Sequence, residues 1–181
     1  MANNKLTVFH VERFRLIVLF LATFTLCSAC SVQRSVITGN KRAYGYTWEQ
    51  GRQLGQQADQ QIIAQFGAYE DAELQSYVEK LGQRVLEESH LRRPDTPAEF
   101  RNTPFTFRVL DSPVVNAFAL PGGYIYVTRG LLNHLDNEAQ LAVVLGHEIG
   151  HVAARHAAQQ AVNQQLGQLG VISGAVLGGA I

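Results

Sequence analysis

The chain has 181 residues, with 15 Lys and Arg against 15 Asp and Glu, so its formal net charge at pH 7 is zero. Charged residues make up only 17% of it, which argues against a nucleic-acid partner and against a polybasic membrane patch. About 150 residues remain after an N-terminal targeting segment, enough for one domain.

The N-terminus has the pattern of a targeting segment. Three basic residues precede an apolar run of 11 residues, Leu16 to Leu26, which is too short to span a bilayer but suits a signal peptide. Small residues directly before Cys30 predict a bacterial lipoprotein signal over residues 1–29, with lipidated Cys30 as the membrane anchor. Ser31 is compatible with outer-membrane sorting, so the predicted location is the periplasmic side of the cell envelope. An ordinary cleaved signal peptide and an uncleaved anchor are the alternatives.

The sequence has two cysteines, Cys27 and Cys30. Cleavage before Cys30 leaves a single thiol, so no disulfide can form within the mature chain. A C-x-x-C redox or metal site is a competing interpretation. The flanking sequence disfavours it, because it has the character of a signal and lacks the βαβ pattern that such a site needs.

Beyond the signal, the pattern predicts a tether, two helices, a small sheet and one further helix. The tether is polar and covers residues 30–46. Helices are predicted over Trp48 to Phe66 and Asp71 to Ser89, the second from its i, i+3, i+4, i+7 apolar spacing. Strands are predicted over Phe105 to Leu110, Val114 to Leu120 and Tyr124 to Thr128. The last helix starts at Asp136 or Asn137, and Asn137 with Gln140 has the spacing of a capping box.

The last predicted helix contains the pattern H-E-x-x-H, formed by His147, Glu148 and His151. Residues four apart on a helix lie about 40° from each other, so both imidazoles can point at one ion with Glu148 beside it. Neutral imidazole is a good zinc ligand, and a carboxylate that does not bind the metal can take a proton from an activated water. The pattern therefore predicts a Zn²⁺ site with His147 and His151 as ligands and Glu148 as catalytic base.

A simpler interpretation places these three residues on the solvated face of an amphipathic helix. The apolar residues around the motif argue against it, because they predict a helix that is buried over most of its circumference. Polar groups in such a helix are costly unless a partner satisfies them. Gly146 and Gly150 lie one turn apart in this helix, which indicates either close backbone packing or simple tolerance of glycine.

His156 is predicted to face away from the ion. It lies about 140° round the helix from His151 and about 180° from His147, so Arg155 and His156 are interpreted as ordinary polar-face residues. The metzincin pattern is excluded as well, because alanines occupy its glycine and third-histidine positions.

Two long segments, residues 116–132 and 137–151, closely resemble the HtpX and CAAX-prenyl-protease-like family of zinc metallopeptidases, in particular its periplasmic lipoprotein branch. The resemblance covers roughly residues 44–165. It implies an α+β fold: a mostly helical, zincin-like domain over residues 47–181, with a small three-stranded sheet and an active-site helix that carries the motif. It also implies gluzincin endopeptidase activity on polypeptide substrates.

The resemblance further implies that the strand around residues 116–120 edges the cleft, where a substrate could add as an extended strand. The candidate substrate-edge residues are Asn116, Ala117, Phe118 and Ala119. For Asn116, a turn or strand-end residue that bonds to its own backbone is an equal alternative.

In that family the third zinc ligand is a glutamate on a later helix, whereas Glu148 is the last carboxylate side chain of this sequence. Catalytic zinc sites have three protein ligands, so the chain is expected to be the N-terminal part of its domain. It ends in an apolar, glycine-rich segment, residues 166–181, whose small-residue spacing suits close helix packing or membrane association.

The sequence thus supports two hypotheses. The first is a lipid-anchored, zinc-dependent metalloendopeptidase that cleaves unfolded or misassembled envelope proteins. The second is an inactive, envelope-anchored interaction or chaperone-like module, suggested by the missing carboxylate.

Overall fold

The computed structural model describes residues 31–164. The predicted signal over residues 1–29, the anchor at Cys30 and the segment 166–181 lie outside the described residues. The elements are β1 (Ser31–Arg34), β2 (Lys41–Tyr44), α1 (Trp48–Phe66), α2 (Ala72–Glu87), a 3-10 turn (His90–Arg92), α3 (Ala98–Arg101), β3 (Thr106–Leu110), β4 (Ala117–Leu120), β5 (Tyr124–Thr128), α4 (Arg129–Leu132) and α5 (Glu138–Ala154). Residues 156–164 are also helical. Within residues 31–164, no helix has both the length and the apolarity needed to cross a bilayer.

Local capping sets the limits of α1 and α2. The Thr47 side chain accepts the Gln50 N–H while the Gln50 side chain accepts the Thr47 N–H, a complete capping box. Gly67 ends α1 at a φ of 73°, which suits glycine, and the Asp71 side chain caps α2 by accepting the Leu74 N–H. The two predicted helices are therefore confirmed, with Asp71 as the cap that precedes α2.

The three-stranded sheet has the order β3-β5-β4. β5 is central because it pairs in parallel with β3 and antiparallel with β4, and β4 therefore forms an edge. All three predicted strands are present, but β4 starts at Ala117 and is shorter than predicted. The reason is Thr128, whose hydroxyl donates to the Val114 carbonyl and accepts the Asn116 N–H, so these residues bond to a side chain instead of extending the strand.

The core lies between this sheet and the helices α2 and α5. Gly82 of α2 lies directly on the Phe107 ring, where a Cβ would come within 2.4 Å of ring atoms. Buried apolar side chains of this core include Val78, Leu81, Leu86, Phe107, Val109, Ile125, Val127, Leu145 and Ile149. Full burial of such side chains stabilises the fold by about 1.5–3 kcal/mol each, and it fixes α5 against the sheet.

The residues predicted as a tether form a hairpin instead. β1 and β2 pair antiparallel, with Ser31 opposite Tyr44 and Arg34 opposite Lys41. Tyr44 is fully buried, and the Arg155 guanidinium lies 3.9 Å from the centre of its ring. The polar composition of the segment is misleading because the contact that orders it comes from a residue more than 100 positions away.

Candidate active site

Helix α5 positions the H-E-x-x-H residues. The Asn137 side chain caps it by accepting the Gln140 N–H at 3.0 Å. The Gln140 side chain reaches back to the Asp136 N–H, 2.8 Å away. The reciprocal pattern thus spans Asp136 to Gln140, one residue longer than the predicted capping box.

The two motif histidines lie together over a cleft. Their Nε2 atoms are 3.0 Å apart, and the side chain of Glu148, only 9% exposed, lies between them in sequence and lines the same 420 Å³ cavity. Nitrogens that share one tetrahedral zinc at about 2.0–2.1 Å are roughly 3.3 Å apart. The spacing of these two nitrogens therefore fits a shared zinc ion.

Two histidines are not a complete site. Within residues 31–164, no group of three or more His, Cys, Asp or Glu side chains is arranged to hold a metal ion. A catalytic zinc needs three protein ligands, whereas the described residues bring together two histidines and one carboxylate.

His156 lies inside the cleft, and the prediction that it faces away was wrong. Its Nδ1 atom is 2.9 Å from Nδ1 of His151, and its ring lines the same cavity. The prediction assumed that α5 continues past Ala154. Instead Arg155 has a left-handed backbone, with φ 58° and ψ 42°, and this break turns His156 back towards the motif.

Burial lowers the pKa of His156, and the nearby His151 and Arg42 side chains lower it further when they are charged. The His156 ring is therefore neutral over a wider pH range than a free histidine, and as a neutral imidazole it can accept one hydrogen bond and donate another.

Arg155 is also not an ordinary polar-face residue. It is only 5% exposed, and its guanidinium donates to the Tyr46 carbonyl and to the Gln33 side chain. Together with its stacking on Tyr44, these bonds join the end of α5 to the hairpin. The prediction failed because a buried arginine can be recognised only once its partners are known.

Strand β4 forms another wall of the cleft. Three of the candidate substrate-edge residues, Ala117, Phe118 and Ala119, line the cavity, and so does Leu120. Asn116 is not among the lining residues; it precedes β4, and its backbone bonds to Thr128. Phe118 stacks on Tyr126 with ring centres 4.9 Å apart, so the strand is held firmly beside the motif.

The start of α1 forms a third wall that the sequence interpretation missed. Tyr46, Trp48 and Gly51 line the cavity there, and burial raises the pKa of Tyr46 against the opposing charge of Arg155. A Cβ on Gly55 would lie 1.7 Å from the Pro121 carbonyl oxygen, so α1 touches the β4–β5 turn through its glycines. Gly51 and Gly55, four residues apart, were the available signal of this close contact.

A cleft with H-E-x-x-H on a helix at one wall and an edge strand at another is typical of zinc metallopeptidases. The chain belongs to peptidase family M48, whose sequence profile matches residues 72–180.

Two kinds of relative are similar to this chain. The β-barrel assembly-enhancing protease of Escherichia coli K12 is 35% identical over 116 residues, which are 64% of this chain and 22% of that protein. The mitochondrial metalloendopeptidase OMA1 of Arabidopsis thaliana is 55% identical over 51 residues, 28% of this chain and 10% of that protein. Human OMA1 is 46% identical over 57 residues, which are 32% of this chain and 11% of that protein. The matches thus cover less than a quarter of each relative's length.

Proposed function

We propose that the protein is a zinc-dependent metalloendopeptidase of the bacterial cell envelope, with His147 and His151 as two zinc ligands and Glu148 as general base. The observation that carries the proposal is the 3.0 Å separation of the two Nε2 atoms beside the nearly buried Glu148. A third ligand has to come from outside residues 31–164.

A zinc ion held in part by His147 and His151 would supply Lewis-acid chemistry to the scissile carbonyl and would lower the pKa of water. Glu148 accepts a proton from the water whose oxygen attacks the carbonyl carbon. As the C–N bond breaks, Glu148 delivers that proton to the leaving nitrogen. Its low exposure suits this role, because few bulk waters compete for the carboxylate.

The edge strand β4 suits substrates that are extended. Among residues 31–164, its one strand partner is β5, so its other side offers backbone N–H and C=O groups to an added strand. A peptide must be unfolded over several residues to pair in this way. Such selection favours unfolded or misassembled proteins as substrates over folded ones.

The proposed location is the periplasmic side of the outer membrane, with residues 1–29 as signal and lipidated Cys30 as anchor. The name of the Escherichia coli relative refers to the assembly of β-barrels, and transmembrane β-barrels are outer-membrane proteins. The relative's name and the location of β-barrels in the outer membrane together support a role in envelope protein quality control.

The test is proteolysis of unfolded casein by the full-length protein. We expect cleavage that a chelator abolishes, that added zinc restores, and that Glu148→Gln lowers by at least about 10²-fold, the smallest effect typical of a general base. Glu138→Gln is the matched control, since Glu138 lies on the same helix at its exposed start. Undiminished cleavage by Glu148→Gln would contradict the proposal.

The incomplete ligand set within residues 31–164 also favours a second candidate, a non-catalytic, envelope-anchored interaction or chaperone-like module. Metal content separates the two candidates. Stoichiometric, tightly held zinc in the purified protein supports the peptidase. A protein that suppresses aggregation of unfolded clients but neither retains zinc nor cleaves casein supports the module.

A further inference from the structure

We propose that His156 is a positioning residue for the zinc site, and that its Nδ1 atom holds the ring of His151 with Nε2 turned towards His147. The inference deepens the proposed function and rests on it. His156 itself is not assigned as a ligand.

His151 uses both of its ring nitrogens. Nε2 lies 3.0 Å from Nε2 of His147, and Nδ1 lies 2.9 Å from Nδ1 of His156. The His151 and His156 rings meet edge to face at 82°, with centres 4.7 Å apart. His151 is therefore held from both sides, and its ring cannot flip without breaking two contacts.

The proton on this pair follows from the ligand role of His151. An imidazole that binds a metal through Nε2 needs its lone pair there, so its proton is on Nδ1. The Nδ1–H group of His151 then donates to Nδ1 of His156, which must carry its own proton on Nε2. Zinc-ligating histidines generally donate their second N–H to a carboxylate, a carbonyl or water; here a neutral imidazole occupies that place.

The backbone around His156 is built to hold it there. The backbone of Arg155 is left-handed, and its guanidinium stacks on the Tyr44 ring and donates to the Tyr46 carbonyl. These contacts set the direction in which the chain leaves α5. The next turn is fixed by a hydrogen bond from the Gly45 N–H to the Ala158 carbonyl, 2.9 Å long. A Cβ on Gly45 would lie only 2.7 Å from the Cβ of Ala161, so the hairpin and the helical residues 156–164 are in direct contact.

The geometry argues against His156 as a third ligand of the same ion. Its Nδ1 approaches the ring of His151 at Nδ1, whereas the metal position lies at Nε2, beside His147. To reach that position, the His156 ring would have to abandon its contact with His151. The hydrogen bond and direct ligation are thus alternatives that experiment can separate.

The test compares His156→Ala and His156→Asn with the unsubstituted full-length protein. An asparagine Oδ1 can occupy the place of the histidine Nδ1 and accept the same hydrogen bond. We expect the Zn²⁺ dissociation constant, measured by chelator competition, to rise about 10–100-fold in His156→Ala, as is typical when a residue that supports a zinc ligand is lost. It should stay within a few-fold in His156→Asn. His90→Ala, which removes an exposed histidine from the 3-10 turn, is the matched control and should change nothing.

A second measurement needs no metal. The ¹⁵N chemical shifts of His151 report which nitrogen carries the proton, and in the metal-free protein we expect the Nδ1–H form. His156→Ala should convert His151 to a mixture of the two forms, and His156→Asn should keep the Nδ1–H form.

Four outcomes would overturn the inference. Two concern the zinc affinity: it is unchanged in His156→Ala, or it is as weak in His156→Asn as in His156→Ala. The third is a proton on His151 that keeps its position in His156→Ala. The fourth is a Co²⁺ absorption spectrum of His156→Ala that shows one metal ligand fewer. If the unsubstituted protein binds no zinc but the proton position shifts as expected, the hydrogen bond is supported and the proposed zinc peptidase is lost. Failure of this inference and failure of the proposed function therefore give different results.

Discussion

Tyr126 is a fully buried residue whose phenol joins helix α1 to one face of the sheet. Its hydroxyl donates to Asp59 of α1 at 2.6 Å, and the Arg108 guanidinium lies 3.2 Å from the same carboxylate oxygen. Burial first, and then the hydrogen bond to Asp59, raises the pKa of Tyr126 well above its usual range. This tyrosine therefore holds α1 over the sheet while its ring supports Phe118 at the cleft.

The raised pKa predicts alkaline instability. The folded state keeps the phenol protonated while the unfolded state loses the proton near pH 10, so the unfolded state binds fewer protons and stability falls as pH rises through about 10. Tyr126→Phe should cost about 1–2 kcal/mol at pH 8 by leaving Asp59 without one partner. It should also make the free energy of unfolding less sensitive to pH between 9 and 11.

Urea unfolding at a series of pH values provides the measurement. Tyr124→Phe is a suitable control, because it removes a phenol from the same strand without removing a bond to Asp59. A pH dependence that is equal in the unsubstituted protein and in Tyr126→Phe would show that the buried phenol is not its source.

At the scale of elements, α1 and α5 use their glycines differently. Gly55 of α1 is in close contact with the turn between β4 and β5, whereas a Cβ on Gly150 of α5 would meet no atom within 4 Å. Gly146 makes only an ordinary contact, 3.5 Å from Val85. Of the two interpretations of the α5 glycines, simple tolerance is therefore the one that the described residues support.

This difference predicts opposite effects of the same substitution. Gly150→Ala should raise the free energy of unfolding by about 0.5–1 kcal/mol, because alanine is the better helix former and has room. Gly55→Ala should lower it by about 1–3 kcal/mol, as overpacking does, because the turn has to move. Thermal unfolding of both variants checks the signs, and a stabilising Gly55→Ala would contradict the close contact.

The success of sequence interpretation differs from element to element, for physical reasons. The limits of α1 were predictable because the Thr47–Gln50 box and Gly67 act within a few residues. The hairpin and the position of His156 were not, since both depend on Arg155, whose left-handed backbone and buried side chain are stabilised by distant partners. The motif histidines are four apart on one helix, so their meeting followed from helix geometry alone.

At the scale of the whole molecule, the first and last described elements are packed together. Tyr44 of β2 is buried beneath Arg155, and its hydroxyl oxygen is buried without a hydrogen-bond partner within residues 31–164. The ring therefore contributes packing and a favourable cation–π contact, while the hydroxyl contributes a desolvation cost.

Two substitutions at Tyr44 should consequently separate the ring from the hydroxyl. Tyr44→Phe should leave the free energy of unfolding unchanged or raise it by up to about 1 kcal/mol, because an unsatisfied polar group is removed. Tyr44→Ala should lower it by about 3–5 kcal/mol, as for other large aromatic truncations. Chemical unfolding measures both values, and a large loss in Tyr44→Phe would reveal a partner for the hydroxyl.

The bond between Gln33 and Arg155 spans 122 positions of the chain, and this separation affects when the site can form. During synthesis the hairpin segment leaves the ribosome first and has to wait for residue 155 before it can dock. Contacts across so long a loop form late, because closing the loop costs entropy before any contact compensates for it. A nascent chain therefore has no assembled cleft until residue 155 has been made, and the geometry around His151 is completed only when the hairpin and the end of α5 are both present.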